Sequence, residues 1–216
     1  MGYDFCLFDL DGTLTDPKEG ITKSFQYALA SFGIYEELEN LTPCIGPPLR
    51  ESFSKLFHLS DSDTEKAVEK YREYFAKEGL YQNTVYPDIP ETLKKLKENG
   101  KVLALATNKA TVYASQILKH FNLNGYFSYV SGDEFDGRNS KNGKAKIIQI
   151  ALENLGVTDF KKAVMIGDRR HDIIGANEVG LKCIGILWGY GSKEELLSAG
   201  ASYIADSVDT LLSLII

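Results

Sequence analysis

A basic surplus, paired cysteines and long apolar runs are all missing from this chain. Its 24 Lys and Arg stand against 30 Asp and Glu, a formal charge of −6 over 216 residues. No basic run interleaved with aromatics interrupts that balance, which argues against nucleic acid as a partner. Cys6, Cys44 and Cys183 are odd in number, widely spaced and without a Cys-x-x-Cys pair. Neither a disulfide framework nor a thiolate zinc site is expected, and the three read as buried thiols in a reducing cytoplasm. No apolar run approaches the roughly 20 residues of a membrane span. The opening MGYDFC has neither the regions of a secretory signal nor the Ser or Thr of a myristoylation site. A G-x-x-x-x-G-K-[ST] phosphate loop is also absent. What is present, 44% hydrophobic and 25% charged residues, is the composition of an ordinary globular protein with a substantial core.

Short apolar runs recur at 3–9 (YDFCLFD), 101–107 (KVLALAT), 126–132 (YFSYVSG), 162–168 (KAVMIGD), 182–188 (KCIGILW) and 202–206 (SYIAD). Between them lie stretches such as KATVYASQILKHFNL and GKAKIIQIALENLG, whose apolar residues repeat at helical spacing with Gly near several ends. Nearly continuous apolar strands alternating with helices imply a parallel sheet covered on both faces. The expected class is α/β, doubly wound and mainly parallel. That rhythm breaks after the first strand. From Asp16 to about Tyr86 only helical segments are expected, near 19–33, 48–58 and 61–79, and about seventy residues far exceed the dozen a crossover needs. Residues 16–84 therefore read as an inserted α-helical cap domain, with 1–15 and 85–216 as the α/β core. Two neighbouring links make a natural hinge.

Open parallel sheets bind ligands beyond the carboxyl ends of their strands. Those ends carry Asp9 and Asp11, then Thr107 and Asn108, then Asp168. If Asp9, Asp11 and Asp168 converge, three carboxylates repel one another unless a cation joins them. An all-oxygen set with room for water and phosphate suits Mg²⁺. Asp172, four residues beyond Asp168, is placed to orient such ligands from behind. Taken singly, Asp-Gly is as readily a turn, and Asp a helix cap. An EF-hand, the other reading of D-x-D-G, wants Gly and Glu where this chain has Leu14 and Gly20, and fails.

FDLDGTLTD (8–16), ALATNK (104–109) and MIGDRRHD (165–172), in that order and with a helical insertion after the first, resemble the haloacid dehalogenase superfamily. The place of the insertion and IGPPLRESF (45–53) resemble its phosphoglycolate phosphatase-like branch with a helical cap. The resemblance implies a cytoplasmic, Mg²⁺-dependent phosphatase that acts on a small phosphorylated metabolite through an aspartyl-phosphate. Asp9 is expected as nucleophile. Asp11 is expected to protonate the leaving oxygen and later deprotonate water, a contribution of roughly 10²–10⁴-fold. Asp9 and Asp168 are implied as metal ligands through their side chains, and Asp11 through its backbone carbonyl. Gly12 lets backbone N–H groups approach the phosphate. Thr107 is implied as a phosphate-binding hydroxyl with Asn108 beside it, and Thr107 is also placed to cap a helix starting at Lys109.

The family's lysine is to be drawn from Lys141, Lys144 and Lys146, and the Pro that usually follows it is absent. Lys144, which opens a helical pattern, is the first choice and Lys141 the second. Arg169, Arg170 and His171 read as solvent-facing residues at a helix start, and His58 and His120 as structural histidines on helices. Arg50, after a Gly-Pro-Pro turn, is either a cap contact to a substrate's carboxylate or second phosphate, or a surface Arg paired with Glu51 or another acid. A closing cap favours small soluble substrates. Candidates are 2-phosphoglycolate, sugar phosphates, nucleoside monophosphates and pyrophosphate. A sugar-phosphate mutase uses the same aspartates and is the nearest alternative, with a nucleotidase or pyrophosphatase inside the family. A silent phosphate-binding module is the alternative from another class.

Overall fold

The computed structural model describes residues 2–139 and 143–216. They divide into two compact units, Met1–Thr15 with Val85–Ile216, and Asp16–Thr84. Strand β1 (Phe5–Phe8) leads into β2 (Thr15–Asp16), and the chain returns through β3 (Thr84–Val85), which forms a two-stranded sheet with β2. Four of the remaining strands, β4 (Val102–Ala110), β5 (Phe127–Asp133), β6 (Ala163–Gly167) and β7 (Lys182–Ile186), join β1 and β8 (Tyr203–Ala205) in one sheet of order β5-β4-β1-β6-β7-β8. Every ladder in it is parallel. Phe8 stands level with Leu105 on one side and Ile166 on the other, so the adjacent strands β1 and β6 end at one edge of the sheet, where Asp9 and Asp168 follow.

The second unit is helical: α1 (Lys18–Ala30), a 3-10 segment (Leu38–Cys44), α2 (Leu49–Leu56) and α3 (Asp61–Tyr74), which runs on as a π turn at Phe75–Gly79. Phe25 packs on Phe53 at 4.7 Å between ring centroids and edge-on against Tyr71 at 5.0 Å. Such pairs contribute ~0.5–1.5 kcal/mol beyond the area they bury. The Ser60 hydroxyl accepts the Asp63 N–H at 3.2 Å and starts α3. Neither β2, β3 nor the 3-10 segment was expected. Two residues are too few to show alternation, and Pro43 within Leu38–Cys44 prevents a regular helix.

Helices α4 (Ile89–Glu98), α5 (Thr111–His120), α6 (Lys144–Asn154), α7 (Arg170–Val179), α8 (Lys193–Ser198) and α9 (Val208–Ile215) complete the first unit. Its core joins Leu7, Ala104, Met165 and Cys183 of the sheet to Ile147, Ile148 and Ala151 of α6 and to Ile173 and Ala176 of α7. All of β6 is buried, which is why these strands read as unbroken apolar runs. The three cysteines are free and buried, and burial pushes the Cys6 and Cys44 thiols up to about 12. Among the described residues no helix is long and apolar enough to cross a membrane.

One strand departs from expectation in a way that shapes the site. β4 continues past Thr107 to Ala110, and α5 starts at Thr111, not at Lys109. Its ladder with β5 holds at Ala106↔Ser131 and resumes only at Ala110↔Asp133, so residues 107–109 form a bulge that re-aims their side chains. Gly132 of β5 makes room beneath it: a Cβ there would lie 2.6 Å from the Lys109 carbonyl oxygen and 2.8 Å from the Thr111 nitrogen.

Candidate active site

Asp9 ends β1 with its N–H donating to the Ile166 carbonyl at 2.9 Å. Its carboxylate meets the ammonium of Lys144, Oδ1 to Nζ 2.9 Å, and the same ammonium lies 2.8 Å from Asp172 Oδ1. Lys144 is the first residue of α6, following Gly143 in the left-handed region at φ 81°. Helix α7 admits it through Gly175, where a Cβ would approach the Lys144 Cβ to 2.7 Å. Lys144 is buried, while Lys146 is exposed. Lys141, the second choice, lies outside the described residues. Burial disfavours the Lys144 charge, but Asp172 and Asp9 outweigh it and hold the ammonium above its ordinary range.

Asp168 follows β6 and is fully buried. Its Oδ1 accepts the Thr13 hydroxyl at 3.1 Å and its Oδ2 the Tyr190 N–H at 2.8 Å, while the Trp188 indole N–H donates to the Thr13 carbonyl at 3.1 Å. The loop after β7 thus fastens the Asp11–Thr15 turn and Asp168 together. Two glycines permit it. Gly12 has φ 82° and lies against the Asp168 carboxylate, where a Cβ would collide, and a Cβ on Gly189 would collide with the Gly12 carbonyl and with Asp168.

The carboxylates that gather are Asp9, Asp168 and Asp172, whose ligand atoms all lie within 4.8 Å of one another. The side chain of Asp11 is not in that group, as befits a residue expected to ligate through its backbone carbonyl, and Asp172 stands in the group with Asp9 and Asp168. The reason is local. Helix α7 begins at Arg170, so Asp172 sits in its first turn, accepts the Arg169 N–H at 3.1 Å and packs against Gly167, where any side chain would strike it. Among the described residues, these three carboxylates against the Lys144 ammonium leave two formal negative charges. Burial pushes the Asp168 carboxyl well above its ordinary range, with Asp172 and Asp9 adding to it. Burial likewise lifts Asp172 to about 6 against the pull of Lys144. The Asp9 and Asp172 oxygens facing Lys144 lie at ion-pair distance without an aligned hydrogen bond. Buried, oxygen-only, doubly negative and incompletely bonded, the cluster fits a divalent cation.

Asp11 turns elsewhere. Its Oδ2 lies 2.7 Å from Lys109 Nζ, with the two side chains only 10% and 7% exposed. Burial raises the Asp11 carboxyl, and Lys109 pulls it back. Lys109 was not singled out by the sequence, because its place depends on the β4 bulge. Thr107 is buried, and its hydroxyl accepts the Lys109 N–H at 3.3 Å within that bulge, not at a helix start. Asn108 is half-buried beside it.

Arg50 forms a two-pronged pair with Glu65, at 2.6 and 2.8 Å, inside the second unit. Arg169 is not solvent-facing as expected: its side chain is 12% exposed and pairs with Glu195 at 3.0 Å. Arg170 is exposed and His171 half-buried. His58 lies after α2 in the left-handed region, φ 53°, and not on a helix, while His120 ends α5 with its ring 4.8 Å from Phe121.

Residues 6–186 match the family model of haloacid dehalogenase-like hydrolases. A 5'-nucleotidase of Pseudomonas aeruginosa is 44% identical over 197 residues, covering 91% of this chain and 88% of that one. A phosphoglycolate phosphatase of Aquifex aeolicus is 35% identical over 185 residues, covering 85% and 84%. The crystal structure of a predicted phosphatase from Clostridium acetobutylicum superposes with a TM-score of 0.95 at 44% identity, covering 100% of this chain and 99% of the other. With the signature aspartates at the carboxyl edge of a parallel sheet and these likenesses along nearly its whole length, the chain belongs to the haloacid dehalogenase-like hydrolases, among their phosphatases.

Proposed function

We propose that the protein hydrolyses small soluble phosphomonoesters through an aspartyl-phosphate on Asp9, with Mg²⁺ in the cluster of Asp9, Asp168 and Asp172. The observation that carries this reading is the buried group of three carboxylates around Lys144 at the end of β1, with a fourth, Asp11, two residues from the nucleophile. A carboxylate oxygen of Asp9 attacks phosphorus while the bond to the leaving oxygen breaks, and that oxygen takes the proton held on Asp11. Water then gives a proton to the Asp11 carboxylate and attacks the same phosphorus. The Asp9–phosphorus bond breaks, and inorganic phosphate leaves. Lys144, the Thr107 hydroxyl, the Asn108 amide and the N–H groups around Gly12 hold the phosphoryl oxygens. When bound, the cation supplies charge neutralisation that lets an anionic nucleophile meet an anionic ester.

The likeness to a 5'-nucleotidase at 44% identity supports nucleoside 5'-monophosphates as the substrates to try first. Steady-state hydrolysis of these, 2-phosphoglycolate, hexose phosphates and pyrophosphate, each with Mg²⁺ and with chelator, tests the proposal. Phosphate release from one class of monoester, lost in chelator, is expected. Conversion of a hexose 1-phosphate to its 6-phosphate without phosphate release would mark a mutase, and full activity in chelator would remove the cation from the account.

A further inference from the structure

The pair between Lys109 and Asp11 is left unused by the mechanism above. Three features make it a built contact. It is short, 2.7 Å, and almost closed to solvent. It exists because the β4 ladder skips from Ala106 to Ala110, which turns Lys109 out of the sheet, and because Gly132 of the neighbouring strand clears space under the Lys109 carbonyl. It is also one-sided. Lys109 holds Oδ2, whereas the other oxygen, Oδ1, is buried and has no hydrogen-bond partner among the described residues. A carboxylate pinned by one oxygen loses most of its rotational freedom, and the second oxygen then keeps a fixed direction.

We propose that Lys109 is a positioning residue: by gripping Oδ2 of Asp11 it aims Oδ1 at the oxygen that departs from phosphorus, and so sets how well the enzyme expels poor leaving groups. The inference rests on the reading of Asp11 as the proton carrier. In the first step the proton on Oδ1 passes to the leaving oxygen as its bond to phosphorus breaks and the bond from Asp9 forms. Lys109 neither gives nor takes a proton. In this step it acts through Asp11, so its removal must be felt most where protonation is needed.

Phenyl phosphate and p-nitrophenyl phosphate separate these cases, since they are alike in size and p-nitrophenolate leaves without a proton. Their kcat/KM values report phosphoryl transfer, before the aspartyl-phosphate is hydrolysed. Lys109→Met is expected to lose roughly 10²-fold on phenyl phosphate, the low end of what a placed acid contributes, and only a few-fold on p-nitrophenyl phosphate. Asp11→Asn is expected to show the same split, and Asp11→Asn/Lys109→Met to match Asp11→Asn on both esters. Equal losses on the two esters in Lys109→Met, or a further loss when it is added to Asp11→Asn, would overturn the proposal and assign Lys109 to the phosphate or to the fold. If Asp11→Asn itself shows no split, the proton-carrier reading falls and takes the proposal with it. Should Lys109→Met fail to fold with Asp11 left unpaired, the double variant, which has no uncompensated charge at this point, still allows the decisive comparison with Asp11→Asn.

Discussion

Lys144 shows how much one side chain can decide. Its ammonium is the cation paired with both Asp9 and Asp172, and all three side chains are buried. Lys144→Met leaves two buried carboxylates facing each other, and breaking a buried pair from one side costs about 3–5 kcal/mol. Urea unfolding of the metal-free protein should show that loss, together with turnover reduced on the order of 10²-fold, the usual effect of losing one preorganised donor. Lys146→Met, at an exposed position, should change stability by no more than about 0.5 kcal/mol. Asp168 and Asp172 have raised carboxyl values in the fold, Asp172 at about 6, against about 3.9 when unfolded. The folded form therefore binds more protons above that unfolded value. The stability these groups contribute is complete below about pH 4 and is lost as pH rises through their folded values. A cation that binds the ionised cluster reverses the loss. Added Mg²⁺ should raise Tm more at pH 7.5 than at pH 5, and equal shifts at both would contradict this reading of the cluster.

At the level of elements, the loop after β7 has little slack. A Cβ at Gly189 would meet the Gly12 carbonyl and Asp168 together, so Gly189→Ala should cost roughly 1–3 kcal/mol by overpacking and weaken Mg²⁺ binding by shifting Asp168. Gly125→Ala, where an added Cβ meets nothing within 4 Å, should be near neutral, and urea midpoints compare the two. The six sheet strands were legible because a sheet buried on both faces demands unbroken apolar runs. Asp9, Asp11 and Asp168 were legible because they follow such runs directly. Lys109 and the place of Asp172 were not. A bulge moves one strand by a residue or two without changing its apolar character, so ALATNK looks like a strand ending at Thr107. The packing of the Asp172 side chain against Gly167 sets a carboxylate on bare backbone, a contact which no periodicity records. The pairing of Arg50 with Glu65 was equally hidden, since a separation of fifteen residues lies beyond any helical spacing rule.

For the whole molecule, the two units carry separate cores: an aromatic one within Asp16–Thr84 and an aliphatic one around the sheet. Every residue assigned a chemical step belongs to the unit of Met1–Thr15 and Val85–Ile216, which carries the aliphatic core. The surplus of acidic over basic residues favours small, cation-accompanied anionic substrates over polyanionic ones. The claim on which everything else depends is that phosphoryl transfer passes through Asp9. It is tested by mixing p-nitrophenyl phosphate labelled in phosphorus with wild type, Asp11→Asn and Asp9→Asn in the presence of Mg²⁺, quenching in acid at successive times and mapping the labelled peptide by mass spectrometry. The account predicts transient label on Asp9 in wild type, label that persists there in Asp11→Asn because water is no longer deprotonated, and none in Asp9→Asn. Label on any other residue, or undiminished hydrolysis by Asp9→Asn, would contradict it.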